Sequence, residues 1–153
     1  MFFLPMYCFG QVNDSFSDGN FINNPFWTGT TANFTVNSAF QLQSKATATS
    51  ISSLFTASEA FDDATWECWV KINYNPSLSN YASIYLASDK NDISMGCNAY
   101  FVQIGGSNDE VSLFVQEGIN KPVKIIDGID KRTNLSVVAV SYTHLTLPTN
   151  REV

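Results

Sequence analysis

Histidine is nearly absent from this chain of 153 residues: His144 is the only one. Imidazole is the usual general base and metal ligand near neutral pH. With a single copy close to the C-terminus, Ser-His-Asp, Cys-His and His-metal centres have nothing to stand on in the body of the chain. Charge is scarce too, at 14% of residues, with 8 Lys and Arg against 14 Asp and Glu, for a net charge of -6. The basic residues are scattered. Neutralising phosphates needs them clustered, so nucleic acid is not an expected partner. Cysteine occurs three times, at Cys8, Cys68 and Cys97, and never as a CxxC pair, which removes zinc and thioredoxin-like readings. No apolar run reaches the roughly 20 residues of a membrane-spanning helix.

What the chain does have is apolar and aromatic bulk. Hydrophobic residues make up 44% and aromatics 14%, led by 12 Phe. That composition excludes an acidic disordered chain and suits pleated, half-buried surfaces. The body reads as short strands separated by turn residues, without a convincing amphipathic helix. Asn33–Asn37 and Phe40–Ser44 alternate apolar and polar residues and suggest a hairpin; Ser50–Phe55 is a further strand, and Ser58–Asp63 a loop or one helical turn. Thr65–Tyr74 gives the clearest alternation, with Trp66, Cys68, Val70, Ile72 and Tyr74 on the expected core face and Glu67, Trp69, Lys71 and Asn73 on the other. Strands are also expected at Tyr81–Ala87, Ala99–Gly105, Val111–Gln116, Val123–Ile126 and Asn134–Ala139. Many short strands at near-regular spacing predict an all-β fold, an antiparallel jelly-roll sandwich.

The two ends read differently. The uncharged, apolar stretch Met1–Gln11, followed by polar Val12–Ser15, looks like the remnant of a secretory signal peptide (residues 1–11) and implies export. The tail Val140–Val153 resembles a translated sequencing adapter, codon for codon, over Val140–Thr149. The sandwich is therefore expected to span 12–139, to be incomplete at its C-terminus and to continue in the native chain into closing strands and further domains. A sandwich lacking its closing strands leaves a sheet edge unpaired.

The run Asn13-Asp-Ser-Phe-Ser-Asp-Gly-Asn-Phe21, then Pro25-Phe-Trp-Thr-Gly29, Trp66-Glu-Cys-Trp-Val70, Ser79–Leu86, Ala99–Gly105 and Val111–Phe114, resembles in order the concanavalin A-like (laminin-G-like) sandwich domains at the N-terminus of secreted Bacteroidetes surface proteins, often ones with a lamin-tail domain further on. The resemblance implies a secreted or cell-surface location, and it covers roughly Gln11 to Ala139. Cys68 departs from the pattern, standing where such domains tend to carry an aromatic. The fold hosts lectins, glycosidases and plain adhesion modules, so the resemblance alone does not choose among them.

Three kinds of site follow from the residues. Glycosidases of this fold use paired carboxylates, in family-16-like enzymes from a Glu-x-Asp-x-x-Glu strand. No such run occurs here; Glu67 and Glu110 read as solvated surface residues, and no enzyme activity is expected. Asn13, Asp14, Asp18 and Asn20 offer hard oxygen ligands for a structural calcium in a short loop, and Asp89, Asn91 and Asp92 form another polar loop. The competing reading is an ordinary Asx-turn loop. No other cofactor is expected. Trp69 and Trp27 are the candidate ligand-binding aromatics, able to stack on a sugar ring, with packing under a covering loop as the alternative. Cys68 and Cys97 are expected as unpaired thiols. Together these predict a non-enzymatic binding or adhesion module with a glycan or another cell-surface component as partner. The rivals are part of a carbohydrate-active hydrolase and a structural spacer.

Overall fold

A computed structural model describes residues 12–47, 49–58 and 64–131, together with the backbone of strand 138–142. The expected signal remnant, His144 and most of Ser58–Asp63 lie outside the described residues. Among the described residues every strand pairing is antiparallel, and the helical segments are two short 3-10 turns. Contacts divide it into two compact units, Met1–Asp62 and Asp63–Val153.

The first unit is built from turns. Strand β1 (Thr28–Gly29) pairs with β4 (Leu54–Phe55), and β2 (Phe34–Val36) with β3 (Leu42–Ser44). The β2–β3 pair is the hairpin read from the alternation. Asn37 sets its loop: its side-chain oxygen accepts from the backbone N–H of Ala39 (2.9 Å) and Gln41 (3.1 Å). Ser50–Phe55 forms a strand only at its end, over Leu54–Phe55. There the Thr30 hydroxyl donates to the Ser53 carbonyl and accepts from the Ser53 N–H, clamping both backbone groups. Gly29 is required at this crossing, because a Cβ would lie 2.3 Å from the Ser53 carbonyl oxygen. None of the described residues in this unit is fully buried. Strands of two and three residues are too short to form a layer that could cover a core.

The second unit is built from layers. Strands β6 (Tyr81–Ser88), β7 (Ala99–Gly105), β8 (Glu110–Gln116) and β9 (Val123–Ile126) form one antiparallel sheet in that order, and β5 (Trp66–Val70) pairs antiparallel with β10 (Val138–Tyr142). β10 runs past Ala139, so its ladder straddles the boundary at which the tail was expected to start. The expected strands β7 and β9 are matched end to end, β6 and β8 to within a residue.

Register places Ile84, Val102 and Leu113 side by side, with Ala82, Ile104 and Val111 in the next row. Residues opposite one another share a sheet face, so both rows form one apolar face. Val102, Ile104 and Leu113 are buried there with Ile72, and Cys68 and Val70 of β5 pack against them. The alternation expected for Thr65–Tyr74 therefore holds through Ile72. The strand itself stops at Val70, and Tyr74, at a bend before Pro76, is exposed rather than in the core. The opposite face of the sheet carries a row of stacked rings, Tyr85, Phe101 and Phe114, with centroids 4.8 and 5.3 Å apart.

Candidate binding face

The two candidate tryptophans occupy opposite situations. Trp27 follows the polar opening loop of the first unit. Its indole N–H donates to Asp14 Oδ2 at 2.8 Å, while Asp14 Oδ1 accepts from the Phe16 N–H at 2.7 Å. The Phe16 ring tilts against the indole at 6.4 Å. Trp27 is thus half-buried and fastened by its polar edge; its neighbour Phe26 is the exposed ring.

Trp69 is 76% exposed on β5. Strand alternation puts Glu67 on the same side, and both it and Lys71 just beyond the strand are exposed. The reverse side of β5 is committed to the core through Cys68 and Val70. A flat indole is therefore held open to solvent on a strand whose backbone pairs Trp69 with Ala139 and whose other face is packed. An acid and an amine stand about 7 Å to either side, the repeat of side chains on one strand face. Such a surface can stack on an apolar ring face and offers both an acceptor and a donor to surrounding hydroxyls.

The opening loop has the hydrogen bonds of an Asx-turn network. Asp18 accepts from the backbone N–H of Asn20 (3.1 Å) and from its side-chain amide (2.8 Å), and Asn20 Oδ1 accepts from the N–H groups of Ile22 and Asn23. Asn13 is exposed beside Asp14. The four residues proposed as calcium ligands thus lie in one loop, with Asp14, Asp18 and Asn20 each engaged locally. Among the described residues, no group of three or more His, Cys, Asp or Glu side chains is placed to hold a metal ion.

The second polar loop is also self-contained. Asp89 accepts from the Asn98 N–H (2.8 Å) and amide (2.6 Å), and Asn98 Oδ1 accepts from the Gly118 N–H (3.0 Å), stitching the β6–β7 and β8–β9 connections together at one end of the sheet. The Asn98 backbone bond is the main reason the Asp89 carboxyl titrates below its ordinary range. Asp92 caps the turn Ile93–Met95 through Ser94, whose hydroxyl holds its carboxyl low as well.

Glu110 corrects the sequence reading. It is not a solvated surface residue but is buried, its side chain 7% exposed, at the start of β8. Lys124 of β9 reaches it and also contacts Asp127 at 2.6 Å, while Glu110 Oε2 is buried without a hydrogen-bond partner. The sequence signal was faint. A bulge at Leu113/Phe114 changes the register so that Lys124 and Asp127 come to one face. Alternation alone would have put them on opposite faces. Glu67 lies on the separate ladder of β5.

Cys68 and Cys97 are both free thiols. Cys97 is fully buried, and burial, with a smaller contribution from Glu67, pushes the Cys68 thiol up and makes it a weak nucleophile. No helix among the described residues is long and apolar enough to cross a membrane. No family model, curated protein or solved structure matches this chain.

Proposed function

We propose that this chain is a non-enzymatic binding module of an exported, cell-surface protein, that its antiparallel sheets belong to a jelly-roll sandwich of the concanavalin A-like kind, and that the Trp69 face of β5 binds carbohydrate. The observation that carries the reading is the 76% exposure of Trp69 on a strand whose other side is packed into the core. A large apolar side chain left open on a rigid element is where Trp acts as a binding anchor. Sugars suit it, because an axial C–H face can lie on the indole while the equatorial hydroxyls meet Glu67 and Lys71. Trp27 is the weaker candidate, since Asp14 already holds its indole N–H.

The test is a glycan array probed with the wild-type chain, with Trp69→Ala and with Trp27→Ala. Signals that vanish in Trp69→Ala and survive in Trp27→Ala support the assignment. An empty array with folded protein removes the carbohydrate reading and leaves a structural spacer.

A further inference from the structure

β9 is the edge strand of its sheet, and among the described residues nothing pairs with its outer side. All four of its residues are exposed. Ile119 and Ile129, beyond its two ends, are exposed at 89% and 67%. The chain continues along β8 past the end of the strand: the Gly128 N–H donates to the Ser112 hydroxyl, and the Lys131 N–H to the Asn108 carbonyl. Gly128 lies so close to β8 that a Cβ would meet the Val111 carbonyl oxygen at 2.2 Å. Strand β9 and the residues after it, up to the turn at Asp130–Lys131, thus lie along β8.

The sequence of that edge, Lys121-Pro-Val-Lys-Ile-Ile-Asp-Gly-Ile-Asp130, is a charge palindrome about the step between Ile125 and Ile126. In an antiparallel pairing of this segment with itself, Lys124 falls opposite Asp127 of the second copy, Lys121 opposite Asp130, and Ile125 opposite Ile126. A regular strand could not adopt this register, because residues three apart point to opposite faces. The bulge removes that obstacle: Lys124 and Asp127 already share a face, as their 2.6 Å contact shows. An edge bulge and an edge lysine ordinarily guard against strand addition. Here the charges are symmetric about the step that follows the bulged residue, Ile125, so a second copy meets each lysine with an aspartate.

We infer that the β9 edge is a self-complementary docking surface for a second copy of this chain, joining two sheets across a two-fold axis between Ile125 and Ile126. The interface is isologous and closes at a dimer. Strand pairing buries an area at the low end of specific interfaces, below about 1,200 Å², so the dimer is weak and concentration-dependent.

Sedimentation velocity on the full chain, from about 10 µM to about 1 mM, tests this over the range a small interface can populate. A monomer–dimer equilibrium is expected. Ile125→Lys places like charges at the axis and should abolish the dimer. Lys121→Asp should weaken it by about 10-fold, because both symmetric pairs become repulsive, and Lys121→Asp with Asp130→Lys should restore it to within about 3-fold. Lys121 and Asp130 are exposed and in no ion pair among the described residues, so these changes leave the fold intact, which circular dichroism checks. A monomer throughout, assembly beyond a dimer, or a dimer that ignores the charge reversal or is not rescued by the swap would each overturn the inference.

Discussion

The two units of this chain hold their shapes by different means. In 12–58 short polar side chains specify the backbone locally: Asp14, Asp18, Asn20 and Asn37 each capture N–H groups a few residues away, and no described residue is fully buried. In 64–131 alternating apolar side chains on β6, β7 and β8 stack in register over Ile72 and the inward side of β5. The lesson extends to the two tryptophans. Where turns dominate, Trp27 is held by a hydrogen bond at its polar edge. Where layers dominate, alternation leaves every second residue of β5 outside, and Trp69 is one of them.

The contrast can be broken most forcefully at Leu113. It is fully buried at the centre of the second unit, so Leu113→Ala should lose about 2–5 kcal/mol in urea unfolding through lost transfer energy and a residual cavity. A loss within the range of an ordinary surface change would show that the layer is not a packed core.

Lys124→Met comes next. It strands the buried Glu110 carboxylate and should lose about 1–3 kcal/mol, with part recovered when Glu110→Met is added, since both partners of a pair can be replaced by apolar groups. A double variant no more stable than the single would argue that the pair is incidental.

Asp14→Ala should lose less, about 0.5–1.5 kcal/mol per hydrogen bond removed, and should speed exchange of the Trp27 indole proton. Unchanged exchange would mean that the carboxylate does not fasten the ring.

The smallest effect is that of acid. Hydrogen bonds from Asn98, Ser94 and Lys124 hold the carboxyls of Asp89, Asp92 and Asp127 low. Groups depressed in the folded state stabilise it above their unfolded pKa of about 3.9 and lose that contribution as pH falls through the lower folded values. Thermal stability should therefore decline below about pH 4, and only modestly, because exposed carboxylates are screened by solvent. Replacing Asp89 with Asn should flatten part of that decline; an identical profile would dismiss its role.

Much of the second unit was legible in the sequence, because alternation is a strong local signal when one strand face is buried. Ala99–Gly105 and Val123–Ile126 were matched to the residue. Tyr74 was misplaced because alternation does not reveal where a strand ends, here at Val70, before the bend at Tyr74. Glu110 was misread because its burial goes with a contact from Lys124 on the neighbouring strand, 14 residues away, and a cross-strand partner leaves little trace in composition. In the first unit the Asx chemistry of Asn13–Asn20 was visible, whereas Asn37 was read as a strand end and not as the residue that sets the hairpin loop. The bond from Trp27 to Asp14 was not, since it joins positions 13 residues apart. The openness of Trp69 followed from alternation only as one of two readings, the other being a covering loop.

The most direct measurement is a titration of the isotopically labelled chain with the glycans that bind on the array, following the indole N–H resonances of Trp69 and Trp27. The account predicts a saturable shift of the Trp69 resonance with Trp27 unmoved, and its loss in Trp69→Ala with stability within about 0.5 kcal/mol of wild type, as for a surface change. A shift of Trp27 alone, or saturable binding that leaves Trp69 unmoved, would contradict it.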